Sequence, residues 1–267
     1  MQQADDFLAE SQALKALVES LDDAELERAT AFKGWTIRNV LAHLSLWNHA
    51  AVLSLQEPAE LKKLFAELGE KMKGGGQMID FEAQWHGPIS ASELVAQWWS
   101  SSEAVQAAFA RCDPAQRVPW AGPDMSARSS ISARLMETWA HGQEVYDELG
   151  VVRENADRIR HIVVLGVNTY GWTFKNRGLE PPQPVPFARL EAPSGETWAF
   201  NEPAGDHLVE GRAEEFCQVV TQVRNIADTE LKVVGASAEV WMDIAQCFAG
   251  GPAEPPAPGT RVTRPTS

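Results

Sequence analysis

The sequence predicts an α+β protein, in which a helical N-terminal part is followed by a small C-terminal domain of strands and helices. Two observations support this prediction. Apolar residues recur at helical spacing through most of the N-terminal part. After the proline-rich run at 181–186, apolar and polar residues alternate, as is typical of strands. We therefore expect a helical domain over residues 1–180, a small α+β domain over 187–250 and a disordered proline-rich tail over 251–267.

Capping residues and glycines predict where the helices of the N-terminal part begin and end. Thr36 is placed to cap one helix, and Ser90 forms a capping box with Glu93 at the start of another. Ser129 or Ser130 is expected to cap a third helix, which should end at a left-handed Gly150. The predicted helices are 5–21, 22–30, 36–56, two helices within 59–86 separated by three glycines, 90–111, 130–150 and 156–177.

The C-terminal domain should begin with a β-hairpin. Two alternating stretches, 187–192 and 196–200, flank the turn-forming pair Ser194 and Gly195. The elements expected after the hairpin are a strand at 207–209, a helix at 213–223, a strand at 231–234 and a helix at 238–248.

Composition excludes several classes of function. The 267-residue chain carries a formal net charge of −14, which disfavours binding to nucleic acid. No apolar run approaches the roughly 18–20 residues of a membrane span, and the N-terminus lacks a signal-peptide profile. The three cysteines are far apart and predict neither a disulfide framework nor a zinc knuckle. We expect a soluble cytoplasmic protein that acts on a small molecule, without a nucleic-acid or membrane partner; a homodimer is left open.

The predicted helix over 130–150 carries the clearest chemical signal. Glu137 and His141 are four residues apart, so their side chains leave the same face of the helix one turn from each other. A carboxylate and an imidazole are good ligands for a divalent cation of borderline softness. A catalytic metal site needs three protein ligands and an open position, so a third ligand should come from elsewhere in the chain.

His43 is the best candidate for the third ligand. Its helical neighbours Val40 and Trp47 are apolar, which predicts that His43 points toward the core. A buried Glu137 would be costly unless it were paired or bound to a metal, and a shared ion would remove that cost. His49 lies about 240° from His43 around the same helix and cannot share its face. The remaining histidines of the helical part are expected to pack in the core or lie at the surface.

Tryptophan is unusually frequent, with ten in the chain against two tyrosines. Core filling is the expected role of each, and lining a pocket is the alternative. Those in the first half of the chain are Trp35, Trp47, Trp85, Trp98, Trp99, Trp120 and Trp139.

These motifs resemble the DinB-like metalloenzyme superfamily, and within it the branch named for mycothiol-dependent maleylpyruvate isomerase. The resemblance rests on Gly34-Trp-Thr36, on the run around His43, and on Glu137-Thr-Trp-Ala-His141, and it covers nearly the whole chain. It implies an up-down four-helix bundle followed by a small α+β domain. It also implies that one His and a later Glu/His pair hold a metal, and His43, Glu137 and His141 match those positions.

The resemblance extends to the C-terminal domain. The stretches 191–198 and 216–230 are similar to a module of bacterial relatives that is sometimes labelled as related to wyosine-base formation. The chain is acidic and has no basic groove that tRNA could bind. We therefore expect no RNA partner in spite of this label. In the isomerase branch an arginine after the first helix of this domain is thought to face the metal cleft. Arg224 is the nearest counterpart and would grip a substrate carboxylate, or else cap a helix at the surface.

The resemblance and the ligand set together predict a metal-dependent enzyme. Zinc is the first expectation, and Ni, Fe, Mn and Co suit the same ligands. The metal would activate a low-molecular-weight thiol, which would add to a small electrophilic acid in a cleft between the two domains and cause isomerisation or S-transfer. One alternative is hydrolysis by metal-bound hydroxide, with Glu144 or Asp147 as base, although Glu144 would also fit a solvated charge on the helix surface. The other is a metal- or ligand-binding protein without catalytic activity.

Overall fold

Long helices make up most of an N-terminal unit that spans Met1–Glu148. The structure is a computed structural model, and it describes residues 1–122 and 124–263. The helices of this unit are α1 (Gln2–Val18), α2 (Asp23–Leu26), α3 (Ile37–Gln56), α4 (Pro58–Lys73), α5 (Met78–His86), α6 (Ala91–Arg111) and α7 (Ala127–Leu149). Between α6 and α7, two short strands, β1 (Arg117–Val118) and β2 (Met125–Ser126), pair in antiparallel orientation.

Helix α3 is the central element of the helical unit. It packs against α4, α5 and α6, and α1 packs against α6. Helix α7 is tied to α3 by Arg134, which donates to Asn48 Oδ1 at 3.1 Å, and to α1 by the Tyr146 hydroxyl, which donates to Ala13 O at 3.4 Å. The expected helical N-terminal domain is therefore present.

The sequence located most helix ends correctly. The Thr36 side chain accepts from the Asn39 backbone N–H at the start of α3, and Ser90 does the same with Glu93 at the start of α6. The predicted cap of α7 is wrong: the helix begins at Ala127, and Ser126 Oγ accepts from the Ser129 backbone N–H at 3.1 Å. Serines occupy positions 126, 129 and 130. Because β2 ends at Ser126 and α7 follows directly, Ser126 is the serine that caps the helix.

The second unit, Leu149–Ser267, contains a mixed sheet and short helices. The predicted helix over 156–177 is divided in the structure at Thr169, whose hydroxyl donates to the carbonyls of Leu165 and Gly166, a type of contact that often bends helices. The elements are a 3-10 helix (Asp157–Ile159), α8 (Arg160–Asn168), α9 (Tyr170–Lys175), β3 (Phe187–Glu191), β4 (Thr197–Phe200), β5 (Leu208–Arg212), α10 (Ala213–Val220), a 3-10 helix (Ile226–Asp228), β6 (Lys232–Val234) and α11 (Ala236–Ile244).

The four-stranded sheet has the order β4-β3-β5-β6. Strands β3 and β4 form the predicted hairpin, whose turn contains Gly195 at a φ of 85°. Strand β5 is parallel to β3 and antiparallel to β6. Buried side chains of Ala188, Leu190 and Val209 face α10, which contacts both β3 and β5. The predicted α+β class is confirmed.

The division between the units differs from the boundary expected at residue 180. Helix α8 contacts α10 and α9 contacts α11, so the chain from Leu149 onward groups with the sheet.

The tail also differs from the expectation of disorder over its described part. It has no regular secondary structure, yet Ala253 O and Pro256 O accept hydrogen bonds from side chains of the second unit. Residues 264–267 and Pro123 lie outside the described residues.

Within the described ranges, no helix combines the length and the apolar character that crossing a membrane requires.

Candidate metal centre

Glu137 and His141 of α7 converge with His43 of α3. One potential ligand atom from each residue lies within 4.8 Å of those of the other two. His141 Nε2 is 3.4 Å from Glu137 Oε2, and the ring centres of His43 and His141 are 4.9 Å apart. The structure therefore brings together the three residues that the sequence singled out.

The charge states of this cluster suit metal binding. Burial raises the pKa of Glu137, but the hydrogen bond from His141 and the positive charges of His141, Arg134 and His43 outweigh it and bring this pKa to about 2. Burial, with a smaller contribution from the charge of His141, lowers the pKa of His43 well below 6.5. At neutral pH the site thus offers a carboxylate and a neutral imidazole, which are the forms that bind metal ions.

Glu82 of α5 is a member of the site that the sequence did not reveal. Its Oε1 lies 2.7 Å from His43 Nδ1 and accepts a hydrogen bond from Trp47 Nε1 at 3.1 Å. The side chain is 1% exposed, and its other oxygen, Oε2, is buried without a hydrogen-bond partner among the described residues. Burial raises the pKa of Glu82 to about 7, although the hydrogen bond from Trp47 acts in the opposite direction.

Aromatic rings surround the two histidines. Trp35 is stacked on His141 with ring centres 5.6 Å apart and an angle of 6°, and its ring centre is 5.2 Å from that of His43. Phe32 meets His141 edge to face at 5.2 Å, and Trp47 lies 5.9 Å from His43. Both Trp35 and Trp47 are only partly buried and contact the candidate ligands, and Trp47 also packs against an apolar core cluster, as core filling predicts.

A tight turn places Phe32 and Trp35 against His141. The Trp35 backbone N–H donates to Phe32 O at 2.9 Å. Lys33 and Gly34 between them have φ values of 53° and 70°, a left-handed conformation that is unusual for lysine. The Lys33 ammonium lies 5.0 Å from the centre of the Phe32 ring. The spacing of Phe32 and Trp35 alone did not indicate this turn.

Arg134, one turn before Glu137 on α7, was also missed. It is buried, and its guanidinium donates to Asn48 Oδ1 and to Leu44 O of α3. Burial lowers its pKa to about 10, so it remains charged at neutral pH. Its charge helps to keep Glu137 ionised.

The two other candidates lie in separate parts of the chain. Glu144 follows His141 by three residues on α7 and is 2% exposed, so it is a buried carboxylate rather than a solvated one. Arg224 belongs to the second unit, where it is 8% exposed and donates from Nη1 to Val223 O at 2.9 Å. Arg224 is therefore not the exposed surface arginine that the alternative role, capping a helix end, would require.

The remaining histidines of the helical unit have other surroundings. His86 of α5 lies 3.0 Å from Ala42 O through Nε2, and because a carbonyl only accepts, this nitrogen is the donor. His49 is exposed on α3. Both placements agree with the expectation that neither residue belongs to the ligand set.

Comparisons with known proteins give a family and a set of relatives. A family model described as mycothiol maleylpyruvate isomerase N-terminal domain matches residues 7–146. Two uncharacterized proteins of Mycobacterium tuberculosis, one from strain CDC 1551 / Oshkosh and one from strain ATCC 25618 / H37Rv, are each 35% identical over 247 residues. Each alignment covers 92% of this chain and 95% of the relative.

Two solved structures share the fold. Crystal structures of mycothiol-dependent maleylpyruvate isomerase and of a point mutant of that enzyme both match with a TM-score of 0.52, at 15% and 14% sequence identity. Each match covers 82% of this chain and 87% of the solved chain. At this level of identity the likeness concerns the fold alone.

Proposed function

Because the chain belongs to the family of the mycothiol maleylpyruvate isomerase N-terminal domain, we propose that it is a divalent-metal-dependent enzyme that uses a thiol. It would isomerise a small electrophilic substrate bearing a carboxylate, or form a lasting thiol adduct with it. The observation that carries the proposal is the cluster of His43, Glu137 and His141, whose potential ligand atoms lie within 4.8 Å of one another.

The donor set fits a catalytic metal site. Two imidazoles and one carboxylate suit zinc, and they also suit Ni, Fe, Mn and Co. Three protein ligands leave a position open for a substrate or a co-substrate. A divalent ion held by these residues would supply Lewis acidity and lower the pKa of a thiol or water bound at that position.

The protein's own groups prepare this site for chemistry. Glu137 is held in its anionic form and His43 in its neutral form, so neither must lose a proton when a cation binds. The ring centres of Phe32, Trp35 and Trp47 lie within 6 Å of the ring centre of a histidine, where they would help to keep water away from the imidazoles. Excluding water strengthens electrostatic interactions inside the site.

Two further residues have proposed roles. Arg224 would bind the substrate carboxylate, because a guanidinium can donate two parallel hydrogen bonds to it. Glu144 would accept or return a proton, since it is a buried carboxylate one helical turn beyond His141. The thiol to test first is mycothiol, and the substrate to test first is maleylpyruvate, because the solved structures of this fold carry those names.

The first test is elemental analysis of the purified protein beside His43→Ala and His141→Ala. We expect one divalent ion per wild-type chain and loss of that ion in both variants, with the helical content unchanged. His49→Ala is the matched control, because it removes an exposed histidine from the same helix as His43 and should keep the ion. A wild-type protein that holds no ion, even after reconstitution, would contradict the proposal, as would variants that keep a full equivalent.

The second test is activity with mycothiol and maleylpyruvate, followed by a screen of other thiols and electrophilic acids. Turnover should be lost on treatment with a chelator and restored by the metal. Arg224→Ala should raise KM for an acidic substrate at least tenfold and leave the metal content unchanged. A metal-loaded protein that is inactive with every thiol but hydrolyses an ester or amide would indicate a hydrolase instead.

A further inference from the structure

Glu82 of α5 contacts one of the two ring nitrogens of His43, which lies on α3. Its Oε1 is 2.7 Å from His43 Nδ1. When Glu82 is ionised it has no proton to donate, and the hydrogen of this contact is then on Nδ1. In a neutral imidazole the other nitrogen, Nε2, then carries the lone pair that can bind a metal.

The position of the Glu82 carboxylate is fixed by neighbouring contacts. Trp47 Nε1 donates to the same oxygen at 3.1 Å. One turn further along α5, His86 Nε2 donates to Ala42 O at 3.0 Å, at the residue directly before His43. Helix α5 is therefore joined to α3 at Ala42 and at His43, which holds Glu82 close to the His43 ring.

Holding a carboxylate here is costly for the fold. The Glu82 side chain is 1% exposed, and Oε2 has no hydrogen-bond partner among the described residues. A buried acceptor without a partner costs about 1–3 kcal/mol, and more when it is charged. Packing alone would be served as well by an apolar residue of the same size, so the carboxylate calls for another explanation.

We infer that Glu82 is a positioning residue for His43, which it holds in the tautomer protonated at Nδ1 so that Nε2 is available beside Glu137 and His141. This inference rests on the proposed metal site. Histidine ligands of metals commonly donate their second ring N–H to a carboxylate, which orients the ring and makes the ligating nitrogen more basic. Glu82 touches neither substrate nor metal in this role and acts through His43.

The affinity for zinc tests this role. Zn²⁺ binding would be measured at pH 8 by competition with a chromophoric chelator for the wild type, Glu82→Met and Glu82→Gln. We expect Glu82→Met to weaken binding about ten- to a hundredfold, the usual effect of losing such a partner. Glu82→Gln should weaken it less, because its amide oxygen can still accept from Nδ1. The matched control is Glu10→Met, which removes a glutamate of similar burial from α1.

A second measurement does not depend on the metal. Long-range ¹H–¹⁵N spectra of the histidine-labelled, metal-free protein at pH 8 report which ring nitrogen of His43 is protonated. We expect Nδ1–H in the wild type and a shift toward Nε2–H in Glu82→Met. A role confined to packing would not move this equilibrium.

The outcomes of these measurements distinguish the proposed metal-dependent function from the positioning role of Glu82. Wild-type protein that fails to bind zinc but shows Nδ1–H at His43 would refute the proposed function and leave the role of Glu82 standing. Zinc affinity unchanged in Glu82→Met, or an Nε2–H tautomer in the wild type, would overturn the role of Glu82. If Glu82→Met does not fold, the wild-type tautomer and the affinity of Glu82→Gln decide the matter.

Discussion

His43 and Glu82 form a buried pair whose pKa values are displaced in opposite directions. Burial lowers the pKa of His43 well below 6.5. The unfolded state therefore binds more protons at this residue below pH 6.5, and the stability that His43 contributes is lost as the pH falls. Burial raises the pKa of Glu82 from 4.5 to about 7, so its contribution is present below pH 4.5 and is lost as the pH rises through about 7. In the wild type the two contributions oppose each other.

Removing the Glu82 carboxylate should therefore expose the pH response of His43. In metal-free protein, we expect Glu82→Gln to lose stability relative to the wild type on acidification below pH 6.5, with a slope of up to about 1.4 kcal/mol per pH unit. Urea unfolding at pH values between 5 and 8 measures this difference. Thr138→Val serves as the control, because it changes a buried residue that carries no ionisable group, and it should follow the wild-type profile. Parallel profiles for the wild type and Glu82→Gln would show that the pair does not titrate as described.

At the scale of elements, α3 illustrates how local sequence sets a helix that carries a ligand. The Thr36 side chain accepts from the Asn39 backbone N–H, and the Asn39 side chain accepts from the Thr36 backbone N–H at 3.0 Å. These reciprocal bonds satisfy donors that the first turn would otherwise leave without partners. They also define the start of α3 at Ile37, fewer than two turns before His43.

Replacing this cap should weaken the helical unit by a measurable amount. We expect Thr36→Ala to lower the free energy of unfolding by about 1 kcal/mol, the usual cost of losing a side-chain cap. Thr36→Ser keeps the hydroxyl and should lose clearly less. Chemical denaturation of both variants beside the wild type provides the comparison. Equal losses in the two variants would show that the threonine methyl group, rather than the cap, is responsible.

At the scale of the whole molecule, the candidate metal centre belongs to one unit. The three candidate ligands and Glu82 all lie within Met1–Glu148. The same unit contains an apolar cluster between α3, α4 and α5. A chain of this length is long enough to bury a core of its own. The candidate ligands and the residues of this apolar cluster all lie in the first unit.

A fragment of residues 1–150 should accordingly fold and bind metal by itself. Ending it at Gly150 keeps the left-handed residue that follows α7, at a φ of 71°. We expect cooperative thermal unfolding and an affinity for Zn²⁺ within tenfold of that of the full chain, measured by chelator competition. The same fragment with His141→Ala should bind no stoichiometric ion. An unfolded fragment would refute the independence of the first unit.

The sequence by itself determined the features that depend on near neighbours. Helix caps act over three residues, so Thr36 and Ser90 could be recognised directly. The one-turn spacing of Glu137 and His141, and the apolar neighbours of His43, placed these side chains on inward faces. The hairpin around Gly195 followed from alternation and a turn residue in the same way.

The tertiary structure decided what depends on contacts between distant residues. Glu82 reaches His43 across 39 positions of the chain, and Arg134 reaches Asn48 across 86. Helical periodicity indicates which face of α5 or α7 is buried, but it does not indicate which residue of another helix lies opposite. The boundary near Leu149 was misjudged for the same reason. The sequences of α8 and α9 show the same periodicity as bundle helices, and only their packing on α10 and α11 assigns them to the second unit.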